Sequence, residues 1–250
     1  MASSKSGLVI SDLHLFSARS DGDSLTVGLH DQLTRVDILV LNGDTFDFRW
    51  STLGDEEQTL KAAQAWLDQL LKSFPRLEFH YVLGNHDCLH SFREILAQFA
   101  IKHARFQLHE FTCRLGSNLF LHGDCTNWGM TPAKFKRYRH FWSKDSPKGP
   151  LSKFLYRLVD ASGLGLAFHH LYFRRAATIA RIARIARYLG PEITGMTHCF
   201  FGHTHVPFEG HLKNNVTYSN TGSGIRGMGF LPQAFEAPPC EKSERTLKEN

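Results

Sequence analysis

The chain has 250 residues, 42% hydrophobic and 21% charged, with 29 basic and 24 acidic side chains and a formal net charge of +5. That balance excludes a disordered chain, a collagen-like fibre and a coiled coil as a description of the whole, and fits one large domain or one domain carrying an insertion. No apolar run approaches the roughly 20 residues of a membrane-spanning helix, and Asp12 and His14 interrupt the first apolar stretch where a leader peptide would have its core, so a cytoplasmic protein is expected.

In chain order, residues 7–11, 37–41 and 77–83 are short apolar runs with β-branched or aromatic content, each closed by Gly, Asn or Asp. They are predicted as buried strands. Residues 55–73 place Leu60, Ala63, Leu67, Leu70 and Leu71 at helical spacing behind the acidic first turn Asp55, Glu56 and Glu57, which the helix dipole favours. Residues 91–99 form a second, shorter helix. Residues 109–121 and 216–220 read as antiparallel or edge strands, and 197–201 as another buried strand. Strands alternating with helices and followed by edge strands predict an α/β fold, either a mixed sheet or two packed β-sheets flanked by helices.

Between these parts lies a basic block. Residues 131–190 hold five lysines and eight arginines against Asp145 and Asp160 alone, so the remainder of the chain is net acidic. The block is predicted helical over 132–141, 151–161 and 174–189, the last with Ile179, Ile182, Ile185 and Leu189 opposite Arg181, Arg184 and Arg187. This composition boundary suggests a helical lid inserted at about 131–190 into a domain spanning 1–232, with 233–250 as a mobile tail. A positive block attracts phosphates, nucleic acid or an anionic membrane surface, whereas a solvated helical face is the bland reading. Five cysteines without paired spacing suggest neither a disulfide framework nor a structural zinc site.

Fifteen histidines stand out, about three times ordinary usage. Several fall in polar clusters that each follow a predicted strand: Asp12-Leu13-His14, Gly43-Asp44-Thr45-Phe46-Asp47, Gly84-Asn85-His86-Asp87, His122-Gly123-Asp124 and Gly202-His203-Thr204-His205. The carboxyl ends of strands in an open α/β sheet lie along one edge, so these distant clusters can converge. Carboxylates at Asp12 and Asp44, imidazoles at His14, His122, His203 and His205, and the amide of Asn85 are the donor types of a binuclear site for borderline metals. Two cations about 3.5–4 Å apart suit in-line phosphoryl displacement.

The five clusters in this order resemble the calcineurin-like metallophosphoesterases. The resemblance implies one metal held by Asp12, His14, Asp44 and His205 and a second held by Asp44, Asn85, His122 and His203. It also implies a hydrolase of phosphoester or pyrophosphate bonds in which a metal-activated hydroxide attacks phosphorus. His86 would then donate to the phosphate or leaving oxygen with Asp87 orienting its ring, and Asp47 would support the ligands. Two divalent cations are expected, with Mn²⁺ first for the mixed oxygen and imidazole donors and Fe, Zn or Mg as alternatives.

The long interval between His122 and His203 is similar to the lid of the UDP-2,3-diacylglucosamine pyrophosphatases of lipid A synthesis, which also share Ile10-Ser11-Asp12-Leu13-His14-Leu15 and the Tyr138-Arg139 stretch. That likeness implies a lipid-linked phosphate substrate, peripheral attachment to the inner face of a membrane, and substrate contacts from Tyr138, Arg139, Arg174 and Arg175. His169 and His170 are held as further candidate contacts. The chain departs from that group at His86, where it usually carries arginine, and at Cys125-Thr126-Asn127-Trp128. A generic phosphodiesterase or phosphomonoesterase therefore stands beside the lipid reading, a nuclease using the basic block on a phosphate backbone is a third possibility, and a scaffold that lost catalysis a fourth.

Overall fold

A computed structural model describes residues 3–127, 130–144, 147–161, 169–186, 188 and 193–238. Two five-stranded sheets form its centre. In the first, β1 (Lys5–Ile10), β2 (Ile38–Asn42), β3 (Glu78–Val82) and β4 (Phe106–His109) run parallel. In the second, β5 (Thr112–Leu115), β6 (Asn118–Leu121), β7 (His198–Phe201), β8 (Phe208–Lys213) and β9 (Val216–Asn220) lie in the order β5-β6-β7-β9-β8, with β6, β7 and β9 parallel and the outer strands antiparallel.

Side chains alternate across each strand. In the first sheet Leu8, Ile10, Leu39, Leu41, Phe79 and Tyr81 face outward into a large apolar core, while Val9, Ile38, Val40 and Val82 face inward. The inward set meets Phe120 and Phe200 of the second sheet in one cluster, so the sheets pack face to face. Buried strands of this kind must be apolar on both faces, which explains the near-continuous runs that mark them in the sequence.

Helices cover both outer faces. On the first sheet lie α1 (Gly22–Gly28), α2 (His30–Leu33), α3 (Glu56–Ser73) and α4 (His90–Lys102). In α3 the Asp55 side chain caps the first turn by accepting from Gln58 N at 2.8 Å, and Ala63, Leu67, Leu70 and Leu71 bury one stripe against the sheet. Each such leucine contributes about 1.5–3 kcal/mol by leaving water.

The basic interval carries α5 (Pro132–Trp142), α6 (Pro150–Ala161) and α7 (Arg175–Ala186). Helix α7 is a structural layer rather than a lid. Its Ile179, Ile182 and Ile185 pack with Leu119, Leu121, Cys199 and Phe201 on the outer face of the second sheet. Opposite them, Arg184 is exposed, but Arg181 turns in and donates to Thr126 O at 3.0 Å. Arg187 and Leu189 lie outside the described residues.

The expected tail begins too early. Gln233–Ala237 is β10, the antiparallel partner of β1, with Lys5 opposite Ala237. Phe235 of this strand enters the inter-sheet core, so the domain extends past residue 232, while residues 239–250 lie outside the described residues. No described helix is long and apolar enough to cross a membrane.

Candidate metal centre

The loops leaving β1, β2, β3, β6 and β7 meet at one end of the sandwich. Backbone bonds join the first two: Asp12 N donates to Gly43 O and His14 N to Asp44 O, both at 2.9 Å. Asp12, His14, Asp44, His203 and His205 all take a left-handed backbone, with φ between 48° and 63°. An L-residue pays conformational energy there, and such strain persists only where the surroundings impose it, as at functional sites. Two glycines give the carboxylates room. A Cβ at Gly84 would overlap Asp44 Oδ1, and one at Gly202 would overlap Asp12 Oδ2.

These turns bring the clusters together. Asp12 Oδ1 lies 3.2 Å from His205 Nε2 and 3.9 Å from His14 Nε2, and the two imidazole nitrogens are 3.3 Å apart. Asp44 Oδ2 lies 3.2 Å from His122 Nε2 and 3.8 Å from His14 Nε2, which makes Asp44 the element common to both halves. His203 joins Asp44 and His122 in a second buried group of three. Such spacings are the edges of a coordination shell with ligands about 2.0–2.2 Å from a cation.

Buried polar atoms test the fit. Asn85 Oδ1 is buried without a hydrogen-bond partner and His122 Nε2 has the Asp44 carboxylate 3.2 Å away, although a buried polar group costs about 1–3 kcal/mol when unsatisfied. Asp12 and Asp44 are almost fully buried. Oxygen and imidazole donors converging in this way suit divalent cations of the Mn, Fe or Zn type.

The electrostatics agree. Burial opposes ionisation of Asp44, yet the charges of His122 and His86 hold its carboxyl well below the usual range. Asp12 is likewise lowered against burial, chiefly by His122. Burial lowers His203 and His205 and so favours neutral imidazole. Carboxylate and neutral imidazole are the forms that bind metal; His122, which burial lowers but Asp44 and Asp12 push up to about 10, gives up a proton when a cation binds.

His86 sits at the rim. Burial works to lower its pKa, but Asp47 and Asp44 push it up to about 9. Its Nδ1 lies 3.1 Å from Asp47 Oδ1, its backbone N donates to Asp44 Oδ1 at 2.7 Å, and its ring packs on Trp142 at 4.8 Å. The orienting carboxylate is therefore Asp47. Asp87, expected in that role, is fully buried and accepts from Gly84 N at 2.6 Å, Tyr81 OH at 2.7 Å and Thr45 N at 2.9 Å. Burial and the Asp44 charge raise it to about 6; it holds the turn that carries Asn85 and His86.

The expected substrate contacts divide. Arg139 is buried, pairs in bidentate fashion with Asp124 and donates to the carbonyls of Leu83 and Gly84 at 2.8 Å, so it braces the loop from beneath. The Tyr138 ring stands 6.0 Å from that of Trp142, and Asn127 Oδ1 lies 3.4 Å from His203 Nε2. Arg174 is exposed, and Arg175 lies over the Phe208 ring at 4.6 Å. His169 stacks on His205 at 4.7 Å and Phe173 packs on His203 at 5.7 Å, which brings that segment onto the centre, while His170 is exposed. Trp142 was legible only as one of several aromatic residues in the basic block, and nothing in its spacing marked it as the cover of His86.

The family model described as calcineurin-like phosphoesterase matches residues 8–207. No curated protein matches the chain in sequence. Among solved structures, a predicted phosphoesterase from Streptococcus pneumoniae is similar at 16% identity and a TM-score of 0.40, covering 94% of this chain and 84% of its own. A dimetal phosphatase from Danio rerio is similar at 12% identity and a TM-score of 0.44, covering 88% of each chain. Vps29 from Chaetomium thermophilum is similar at 11% identity and a TM-score of 0.33, covering 97% of this chain and all of its own.

Proposed function

The chain belongs to the calcineurin-like phosphoesterase family, and from that premise we propose that it hydrolyses a phosphoester or phosphoanhydride bond in a substrate bearing an apolar tail, with a lipid-linked pyrophosphate such as UDP-2,3-diacylglucosamine as the leading candidate. Asp12, His14, Asp44 and His205 would hold one divalent cation and Asp44, Asn85, His122 and His203 the other, with Mn²⁺ as the proposed ion. Bound there, the pair would neutralise phosphoryl charge and supply a nucleophilic water at neutral pH. Protonated His86, held by Asp47, would donate to the leaving oxygen. Tyr138 and His169 of the basic interval, with Asn127 just before it, would meet the substrate beside the centre.

One observation carries the apolar part of this reading. On α6, Leu151, Phe154, Leu155 and Leu158 recur at helical spacing and are 52–72% exposed, with Leu171 beyond them at 74%. A stripe of that kind in water marks a binding face for lipid or another apolar partner. The segment carrying Leu171 also bears His169 and Phe173, which touch the centre. A nuclease reading has less support, since Arg139, Lys153 and Arg181 of the basic interval are engaged with Asp124, Ser51 O and Thr126 O inside the fold.

The test is Mn²⁺-dependent hydrolysis of UDP-2,3-diacylglucosamine beside bis-p-nitrophenyl phosphate and single-stranded DNA, with Asp44→Ala as the blank. Release of UMP from the lipid substrate alone supports the proposal. Turnover of the generic diester or DNA alone would remove the lipid assignment and keep the phosphoesterase one. The Asp44→Ala protein should lose metal and turnover together, whereas His86→Ala should retain the metals and lose about 10²–10⁴-fold in kcat.

A further inference from the structure

Away from the centre, the apolar filling between the sheets gives way at one edge to a polar cluster. His80 of β3 and His109 of β4 face the inter-sheet space as diagonal neighbours, since His80 is in register with Gln107 and His109 with Val82. Cys113 of β5, in the other sheet, comes to meet them. His80 Nδ1 lies 3.0 Å from His109 Nε2 and 3.4 Å from Cys113 Sγ. His80 and Cys113 are 2% and 1% exposed.

Hydrogen bonding leaves this cluster underdetermined. His80 Nε2 lies 3.2 Å from Glu78 Oε1, which fixes the proton on that nitrogen and leaves Nδ1 with a single lone pair. Both His109 Nε2 and Cys113 Sγ are directed at that one lone pair. A carboxylate behind a histidine whose far nitrogen joins other soft donors is the usual support of a metal-binding imidazole. Glu78 is in turn held by Lys5 at 2.7 Å and by Gln107 at 3.2 Å.

We propose that His80 Nδ1, His109 Nε2 and Cys113 Sγ form a separate divalent-cation site of zinc type, clamping the first sheet to the second at this edge. Zinc takes nitrogen at about 2.0–2.1 Å and thiolate at about 2.3 Å in tetrahedral array, so neighbouring ligands stand about 3.3 Å apart for two nitrogens and about 3.6 Å for nitrogen and sulfur. The observed separations of 3.0 and 3.4 Å are close to those edges, and the three donor atoms all lie within 4.8 Å of one another. Two imidazoles and a thiolate select zinc over manganese or magnesium. His80 and His109 line a groove of about 510 Å³ whose wall also includes Lys5, Glu78 and Arg114, so water or an external anion could complete the shell. The Cys113 thiol proton leaves to solvent as the metal binds.

Cobalt(II) is the probe, because a thiolate ligand gives it a charge-transfer absorption that oxygen and imidazole ligands do not, and the proposed binuclear ligands include no cysteine. Chelator-treated full-length protein titrated with Co²⁺ should develop that absorption to the intensity of one thiolate-bound ion per chain and lose it when Zn²⁺ is added. Cys113→Ser should abolish it. Glu78→Gln should weaken binding about 10–100-fold, and His109→Gln, at a half-buried position suited to retaining the fold, should weaken it further. No thiolate absorption in the unmodified protein, the same absorption in Cys113→Ser, or unchanged affinity in His109→Gln would overturn the assignment.

Discussion

Asp47 Oδ1 accepts a hydrogen bond from His86 Nδ1 at 3.1 Å. Its other oxygen stands 3.3 Å from His14 Nδ1, so a single carboxylate steers one histidine of the cation cluster and the proposed proton donor. Asp47→Asn keeps the shape and removes the charge. It should lower kcat by about 10²-fold or more and weaken metal binding by about 10–100-fold. Because Asp47 raises the His86 pKa, the fall in activity at high pH, as His86 loses its proton, should move to lower pH in the variant. A pH–rate profile at saturating metal would show it, and an unmoved alkaline limb would exclude His86 as the donor.

Gly84→Ala tests the close approach of β3's loop to the shared carboxylate. The added methyl would overlap Asp44 Oδ1 and its backbone nitrogen. Overpacking of this kind costs about 1–3 kcal/mol, and here the displaced atoms belong to the cluster. Metal content should fall together with stability, as measured by elemental analysis and urea unfolding. Full metal content in Gly84→Ala would mean that the loop yields without moving Asp44.

Arg139→Met should behave as a stability variant. It strands the Asp124 carboxylate and two carbonyls in the interior, and breaking one side of a buried pair costs about 3–5 kcal/mol. Denaturant unfolding should register the loss, while KM of the surviving folded protein changes little. A large rise in KM with unchanged stability would return Arg139 to substrate binding.

Metal-free protein should lose stability on acidification in two stages at the sandwich edge. Burial lowers His109 to about 4 in the folded chain, so its contribution is complete above the unfolded value near 6.5 and fades as pH falls toward 4. Glu78 is lowered to about 2, first by the His80 hydrogen bond and then, against burial, by Lys5. Its contribution is complete above about 4.5 and fades toward pH 2. Allowing for solvent screening, each is worth on the order of 1 kcal/mol. His109→Gln should flatten the first stage and Glu78→Gln the second in urea titrations across pH.

Elements with strong local patterns were legible in the sequence. The α3 stripe behind its Asp55 cap and the five polar clusters at strand ends needed only periodicity and order. β10 was hidden because the segment Gln-Ala-Phe-Glu-Ala offers one large apolar side chain and is followed by proline; it is a strand because β1 presents an open edge to it. The role given to Asp87 failed for a related reason. The resemblance implied Asp87 as the partner of His86, but the turn points neighbouring side chains apart, and a carboxylate 39 residues away faces His86. Arg139 read as a substrate contact because neither its charge nor the likeness that suggested it reveals a buried Asp124 beneath it. The helical stripe of α7 was visible, while its destination on the second sheet depended on contacts remote in the chain.

The pairing of β10 with β1 sets how the molecule can be tethered. β1 runs toward the metal centre, so Lys5 and its neighbour Ala237 mark the opposite pole of the first sheet. A support attached through the side chains exposed at that pole would leave the centre facing outward.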